Sequence, residues 1–180
     1  MTTTRTPPLD AAILERLLRS YKPMCRYVLE AKLEHPADQR PPHPDDPSSW
    51  IGAQGRCGIP SSCYCDDPGG HFTAVEFNIT YNQLCYACLA GAVQHELIAE
   101  LRHWSMEEWW RRHLPDVLIV DYHARFHQPM LAQAFSGRVE IRQVLPKPHK
   151  RLVLLQTVCQ MQDDSGGHAD ADVLLALVRM

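Results

Sequence analysis

The sequence has no apolar run long enough to cross a bilayer. Its longest, residues 84–93, holds ten, against the roughly 20 that a membrane helix needs, so no span is expected. Nor is there a surplus of positive charge. The 18 Lys and Arg face 21 Asp and Glu, giving a formal net charge of −3. With no long basic block, nucleic-acid binding would lack its usual electrostatic drive. The sequence contains no P-loop, no G-x-G-x-x-G and no H-E-x-x-H, which removes three common phosphate-binding and zinc-hydrolase signatures. It shows no internal repeat, and no secretory signal is read at its N-terminus. The seven cysteines are odd in number and cluster in apolar stretches. They fit reduced thiols in a cytoplasmic protein better than a secreted disulfide framework.

What is present predicts one domain over residues 1–180, 45% hydrophobic and large enough for a real core. Residues 1–8 are expected to be disordered. Five prolines within 36–47 predict an extended surface loop. Asp10 can cap a short helix with Ile13, Leu14, Leu17 and Leu18 on one face. Tyr27, Leu29, Ala31 and Leu33 alternate with polar residues, predicting a strand with those four turned inward. A weaker strand follows over 50–59, then a break at the Asp-Asp-Pro-Gly-Gly of 66–70. Residues 73–100 contain no proline and one glycine, and their apolar positions keep to no narrow stripe, which predicts a helix buried on most sides. Ser105 and Glu108 form a capping box opening a shorter helix, expected to end before Pro115. Strands are predicted over 117–126, 135–145, 151–161 and 173–178. Connections this short favour antiparallel neighbours, so the fold class is α+β, an antiparallel sheet curled around a buried helix.

Polar residues are densest where the glycine turn meets the long helix: Tyr64, His71, Thr73, Glu76, Asn78, Thr80, Asn82 and Gln83. Glu76, Thr80 and Gln83 share one side of the helix, and Asn78 and Asn82 another. Buried polar stripes line a cavity, an interface or a hydrogen-bonded network. Glu76 reads in two ways, as the fourth residue of a Thr73 capping box or as an acid/base carboxylate. His71, after two glycines, is either a general base or a turn residue. Unpaired N–H groups at the helix start would serve a developing oxyanion. Cys63, Cys65, Cys85 and Cys88 have thiolate chemistry suited to zinc, but their spacing matches no common knuckle, and no metal site is expected. The histidines at 95, 103, 113, 123 and 127 read as exposed polar residues, and Trp104, Trp109 and Trp110 as packing or interface.

The runs Gly-His-Phe-Thr-Ala-Val-Glu at 70–76, Tyr-Asn-Gln-Leu-Cys-Tyr at 81–86 and Leu-Arg-His-Trp-Ser at 101–105 resemble the FcoT-like hot-dog family. That family includes long-chain fatty acyl-CoA thioesterases and enzymes that add glycine to a (2E)-enoyl group on an acyl carrier protein. The resemblance implies a hot-dog fold and a homodimer with acyl sites at the subunit interface. It carries the family's polar site positions onto Tyr21, Tyr64, His71, Glu76 and Asn82. Thr73 stands where the thioesterase-type relative has Asn. The expected reaction is addition of glycine to the β-carbon of an enoyl thioester, with Glu76 or His71 as base and Asn82 or Tyr64 donating to the carbonyl. Tyr21, Tyr64, Thr73, Gln83, Phe77 and Tyr81 are expected to contact substrate. The alternatives are acyl-thioester hydrolysis and acyl binding without turnover. No cofactor is expected beyond the carrier's phosphopantetheine, for which Arg125, Arg138 and Arg142 are basic candidates.

Overall fold

A computed structural model describes residues 4–5, 9–36, 50–65 and 72–178. The elements in chain order are β1 (Thr4–Arg5), α1 (Ala11–Leu18), β2 (Val28–Pro36), β3 (Ile51–Cys57), α2 (Ala74–Gln94), α3 (Met106–Asp116), β4 (Val117–Gln128), β5 (Phe135–Lys147), β6 (Leu152–Gln162) and β7 (His168–Val178). Every strand pairing is antiparallel, and the order across the sheet is β1-β2-β3-β5-β6-β7-β4. This is the expected α+β hot-dog arrangement, with the sheet wrapped around α2. Within the segment expected to be disordered, Thr4 and Arg5 pair with Pro36 and His35. The loop at 37–47, the glycine turn and His71 lie outside the described residues.

Helix α2 has buried side chains at nearly every position from Glu76 to Val93. Such a helix gains its stability from the sheet closed around it rather than from one apolar stripe. Leu84 shows how close the layers come. It sits over Gly55 and Gly137, which face each other across β3 and β5. A Cβ on either glycine would lie 2.8 or 2.6 Å from a Leu84 methyl. Glycine at these positions lets the sheet meet the helix, and full burial of that leucine contributes about 1.5–3 kcal/mol.

Several boundaries, and the facing of Leu29, differ from expectation. Helix α2 stops at Gln94 rather than running to residue 100, because Glu96 takes a left-handed conformation (φ 54°). The N–H groups of Glu96 and Leu97 then return to the carbonyls of Val93 and Ala92, a Schellman closure without its usual glycine. Helix α3 continues through Pro115 to Asp116, since a missing N–H so near the end opens only the last turn. Its Arg112 Nε also donates to Asp116 Oδ2 at 2.8 Å. Strand β7 starts at His168, not 173, with Ala169, Ala171 and Val173 inside and His168 and Asp172 exposed. In β2 a register shift between Val28 and Glu30 turns Leu29 outward, so both Tyr27 and Val28 are buried. His113 is likewise not an exposed polar residue. It is buried among Trp109, Trp110 and Tyr86, and burial holds its imidazole below the usual histidine range.

Candidate functional site

The site is built on the first two turns of α2. Thr73 is the N-cap, and the predicted capping box is formed: its side chain accepts from the helix backbone while Glu76 Oε2 accepts from Thr73 N–H at 3.1 Å. Glu76 does more than cap. The Thr73 hydroxyl also donates to Oε2, and the Ser62 hydroxyl donates to Oε1 at 3.1 Å. The carboxylate is 1% exposed, and among the described residues its hydrogen-bond donors are two hydroxyls and one backbone N–H, with no Lys or Arg. Oε2 is saturated by its two Thr73 donors, while Oε1, with Ser62 alone, retains lone-pair capacity for another proton or donor.

Tyr64, half exposed, hydrogen-bonds through its hydroxyl to Thr73 Oγ1 at 2.9 Å. The single Thr73 hydroxyl proton is directed to Glu76, so Tyr64 must be the donor in that pair. The result is a chain of hydroxyls from the surface to the buried carboxylate. It comprises Tyr64, Thr73 and Glu76, with Ser62 on the far oxygen.

One turn deeper, Thr80 Oγ1 donates to the Glu76 carbonyl at 2.8 Å. Gln83 ends the same stripe, and its amide is taken up by backbone. Oε1 accepts from Tyr27 N–H at 3.0 Å and Val28 N–H at 3.1 Å, while Nε2 donates to the Cys25 carbonyl at 2.5 Å. Gln83 therefore ties the start of β2 to α2. The second stripe is separate: Asn82 Nδ2 donates to Asn78 Oδ1 at 2.7 Å, and both are half-buried.

Other predicted positions lie apart from this network. Tyr21 packs beside Cys85 and Tyr86, and burial, then those neighbours, pushes its hydroxyl well above its ordinary pKa. Phe77 and Tyr81 lie in an aromatic group with Tyr122 and Phe126 of β4. Tyr81 also hydrogen-bonds Thr157 at 2.8 Å. His71 lies outside the described residues. The basic candidates are paired with carboxylates: Arg125 with Asp170 and Asp172, Arg138 with Glu34 and Glu140, Arg142 with Glu140. Cys85 and Cys88 are buried within α2 while Cys65 is exposed. Among the described residues no three His, Cys, Asp or Glu side chains are grouped to hold a metal ion. An open groove of about 460 Å³ lies on the outer face of β2, β3 and β5, lined by Glu30, Lys32, Gln54 and Arg56, and includes none of the Glu76 group.

Sequence reasoning missed one member of the site. Ser62 carries no motif, and its hydroxyl reaches Glu76 only because its loop packs against the start of α2.

Chemically, the arrangement offers a buried carboxylate acceptor beside helix-start N–H groups and a hydroxyl path to the surface. Such a site can accept and return a proton next to a polarised carbonyl.

Comparison with known proteins adds the following. Residues 16–177 match the family model described as FcoT-like thioesterase domain. A (2E)-enoyl-ACP glycyltransferase of Streptomyces coeruleorubidus is 34% identical over 176 residues, covering 95% of this chain and 98% of that protein. Its counterpart in Mycobacterium marinum is 33% identical over 194 residues, covering 99% and 98%. Another of the same name in Mycobacterium tuberculosis is 32% identical over 178 residues, covering 97% and 90%. Among solved structures, a thioesterase-like protein from Syntrophus aciditrophicus superposes with TM-score 0.51 at 13% identity, covering 94% of this chain and 96% of that one. One from Shewanella oneidensis gives TM-score 0.50 at 14% identity, covering 93% and 98%. At such identities these two likenesses show the fold.

Proposed function

The chain belongs to the FcoT-like thioesterase domain family, and from that premise we propose that it adds glycine to a (2E)-enoyl thioester carried on an acyl carrier protein. The observation that carries this reading is the 32–34% identity, over nearly the whole chain, to proteins named for that activity. In the proposed reaction the glycine nitrogen bonds to the β-carbon, and the Cα=Cβ π pair moves toward the thioester carbonyl as an enolate. The proton lost by nitrogen is taken by Glu76 and returned to the α-carbon. Nothing is oxidised or reduced, so the step requires no redox partner. The product is a 3-(carboxymethylamino)acyl thioester, suited to a β-amino acid or isonitrile natural product.

The Glu76 network supports the role of base. The carboxylate is desolvated, fixed by three donors, and linked through Thr73 to the exposed Tyr64 hydroxyl. His71, two residues before Thr73, is the second candidate base. Asn82 is assigned to the carbonyl, since the Tyr64 proton is held by Thr73, and Phe77 and Tyr81 to the acyl chain. Hydrolysis is the second reading, favoured by the thioesterase name of the family; it needs the same carbonyl polarisation, with water as nucleophile.

Two further elements belong to the proposal. The partner is a second copy of the chain, met at the open edge of β4, where Leu118, Ile119 and Val120 are exposed. The compartment is the cytoplasm; no helix among the described residues is long and apolar enough to cross a membrane.

The test is mass spectrometry of an enoyl carrier-protein thioester incubated with the protein, with and without glycine. A carrier-bound product heavier by one glycine is expected. Free acid alone overturns addition in favour of hydrolysis, and unchanged substrate would mean acyl binding without turnover.

A further inference from the structure

Asp163 lies outside the Glu76 group, yet its buried carboxylate takes four hydrogen bonds. Oδ1 accepts from Ser165 N–H at 2.8 Å, Ser165 Oγ at 2.7 Å and Gly167 N–H at 2.9 Å, which shapes the turn between β6 and β7. Oδ2 reaches a segment 32 residues earlier and accepts from Leu131 N–H at 2.6 Å. These donors, Leu131 first and then Ser165, hold the carboxyl down at about 2, so it is an anion at any working pH. The residues on either side of Leu131 extend the reach of that bond. The Met130 carbonyl accepts from Phe72 N–H at 3.3 Å, and the Ala132 carbonyl accepts from Ile59 N–H at 2.9 Å. Phe72 immediately precedes the N-cap Thr73, and Ile59 leads into the segment that carries Ser62 and Tyr64. The turn is pressed onto this loop at Gly167, where an added Cβ would lie 2.8 Å from Met130 Cα. Met130, Ala132 and Phe72 are all buried.

We propose that Asp163 is a positioning residue for the reaction: through Leu131 it fixes the loop at 130–132, and that loop sets Ser62 and Thr73 where they orient the Glu76 carboxylate. The inference rests on Glu76 as the base of the reaction proposed above. Asp163 itself touches no reacting atom. Its action passes from the carboxylate to Leu131, from the Met130 and Ala132 carbonyls to Phe72 and Ile59, and from those residues to the two hydroxyls on Glu76. A hydrogen bond to an ionised carboxylate is roughly twice as strong as a neutral one, so the tie at Leu131 is the firm point of this chain. Firmness there matters because a base must keep one orientation, and a misplacement of about 1 Å can cost up to about 100-fold in rate.

The test compares Asp163→Asn with Ser165→Ala. The first keeps an oxygen for Ser165 and Gly167 but turns an NH₂ group toward Leu131 N–H, cutting the tie to the loop. The second loses one bond within the turn and leaves that tie intact. Both are measured for kcat and glycine KM with an enoyl carrier-protein substrate, and for amide hydrogen exchange. In Asp163→Asn a kcat lower by about 10-fold is expected with the glycine KM unchanged. The Ile59 and Phe72 amides should exchange faster by about 10-fold while the middle of α2 is unaffected. Ser165→Ala should match wild type in both readouts. A normal kcat in Asp163→Asn overturns the proposal, as does an equal loss in the two variants, which would reflect the turn alone. A lower kcat with unchanged exchange at Ile59 and Phe72 overturns it too. If Asp163→Asn does not fold, Leu131 introduced as its α-hydroxy acid removes the same N–H from the other side, and a normal rate there is equally fatal. Should wild type hydrolyse the thioester instead, the addition reading fails separately. The same variant-to-wild-type ratio, taken on hydrolysis, then decides for or against Asp163, because the base must be oriented toward water as toward glycine.

Discussion

Glu76 is where two roles meet in one side chain. It closes the capping box of α2 and accepts the Ser62 hydroxyl on its other oxygen. Glu76→Gln keeps the shape but turns an NH₂ group toward donors and cannot take a proton. Turnover should fall at least about 100-fold. The lost cap should lower stability by only about 1 kcal/mol, typical of an N-cap. Glycine addition assayed beside a thermal melt checks both; a folded variant with a normal rate would leave Glu76 as a cap alone. The sequence exposed this residue because Thr73 and Glu76 are three apart and mark a helix start. Ser62 is 14 residues away from Glu76. Its arrival there depends on how a loop packs on α2, which local spacing does not encode.

At the scale of elements, α2 was legible as a helix buried on most sides, and the sheet around it as antiparallel. Its end was not, because Glu96 occupies the left-handed position that glycine usually signals. Nor does sequence reveal how tightly helix and sheet are pressed together. Gly91 of α2 lies under Leu33 of β2, where an added Cβ would come within 2.6 Å of Leu33 Cδ2 and 2.8 Å of Cγ. Leu33 is fully buried, with no room to withdraw. Gly91→Ala should therefore destabilise the protein by about 1–3 kcal/mol, although alanine is favoured over glycine in a helix by about 1 kcal/mol. Urea unfolding checks the sign. A Leu33→Ala background should relieve the clash and make the two substitutions non-additive.

For the whole molecule, the decisive feature is that β4 follows α3 in sequence yet lies at the far edge, paired to β7. Its other side pairs with no strand among the described residues, and Leu118, Ile119 and Val120 are exposed along it. An open edge with apolar side chains favours another strand. The chain is expected to sediment as a dimer. Val120→Lys, at a position 57% exposed, should shift it toward monomer with its circular dichroism unchanged. A wild-type monomer at micromolar concentration would remove the second copy of the chain from the proposal.

By itself the sequence determined the α+β class, the helix that the sheet would enclose, the capped carboxylate at its start and the family. These follow from periodicity, capping chemistry and short runs of residues, all of which act over a few positions. Only the tertiary structure decided the strand order, the exposure of Leu29, the burial of His113 and the arrival of Ser62 beside Glu76. Those depend on contacts between distant segments, fixed by which faces can be closed against α2 at once.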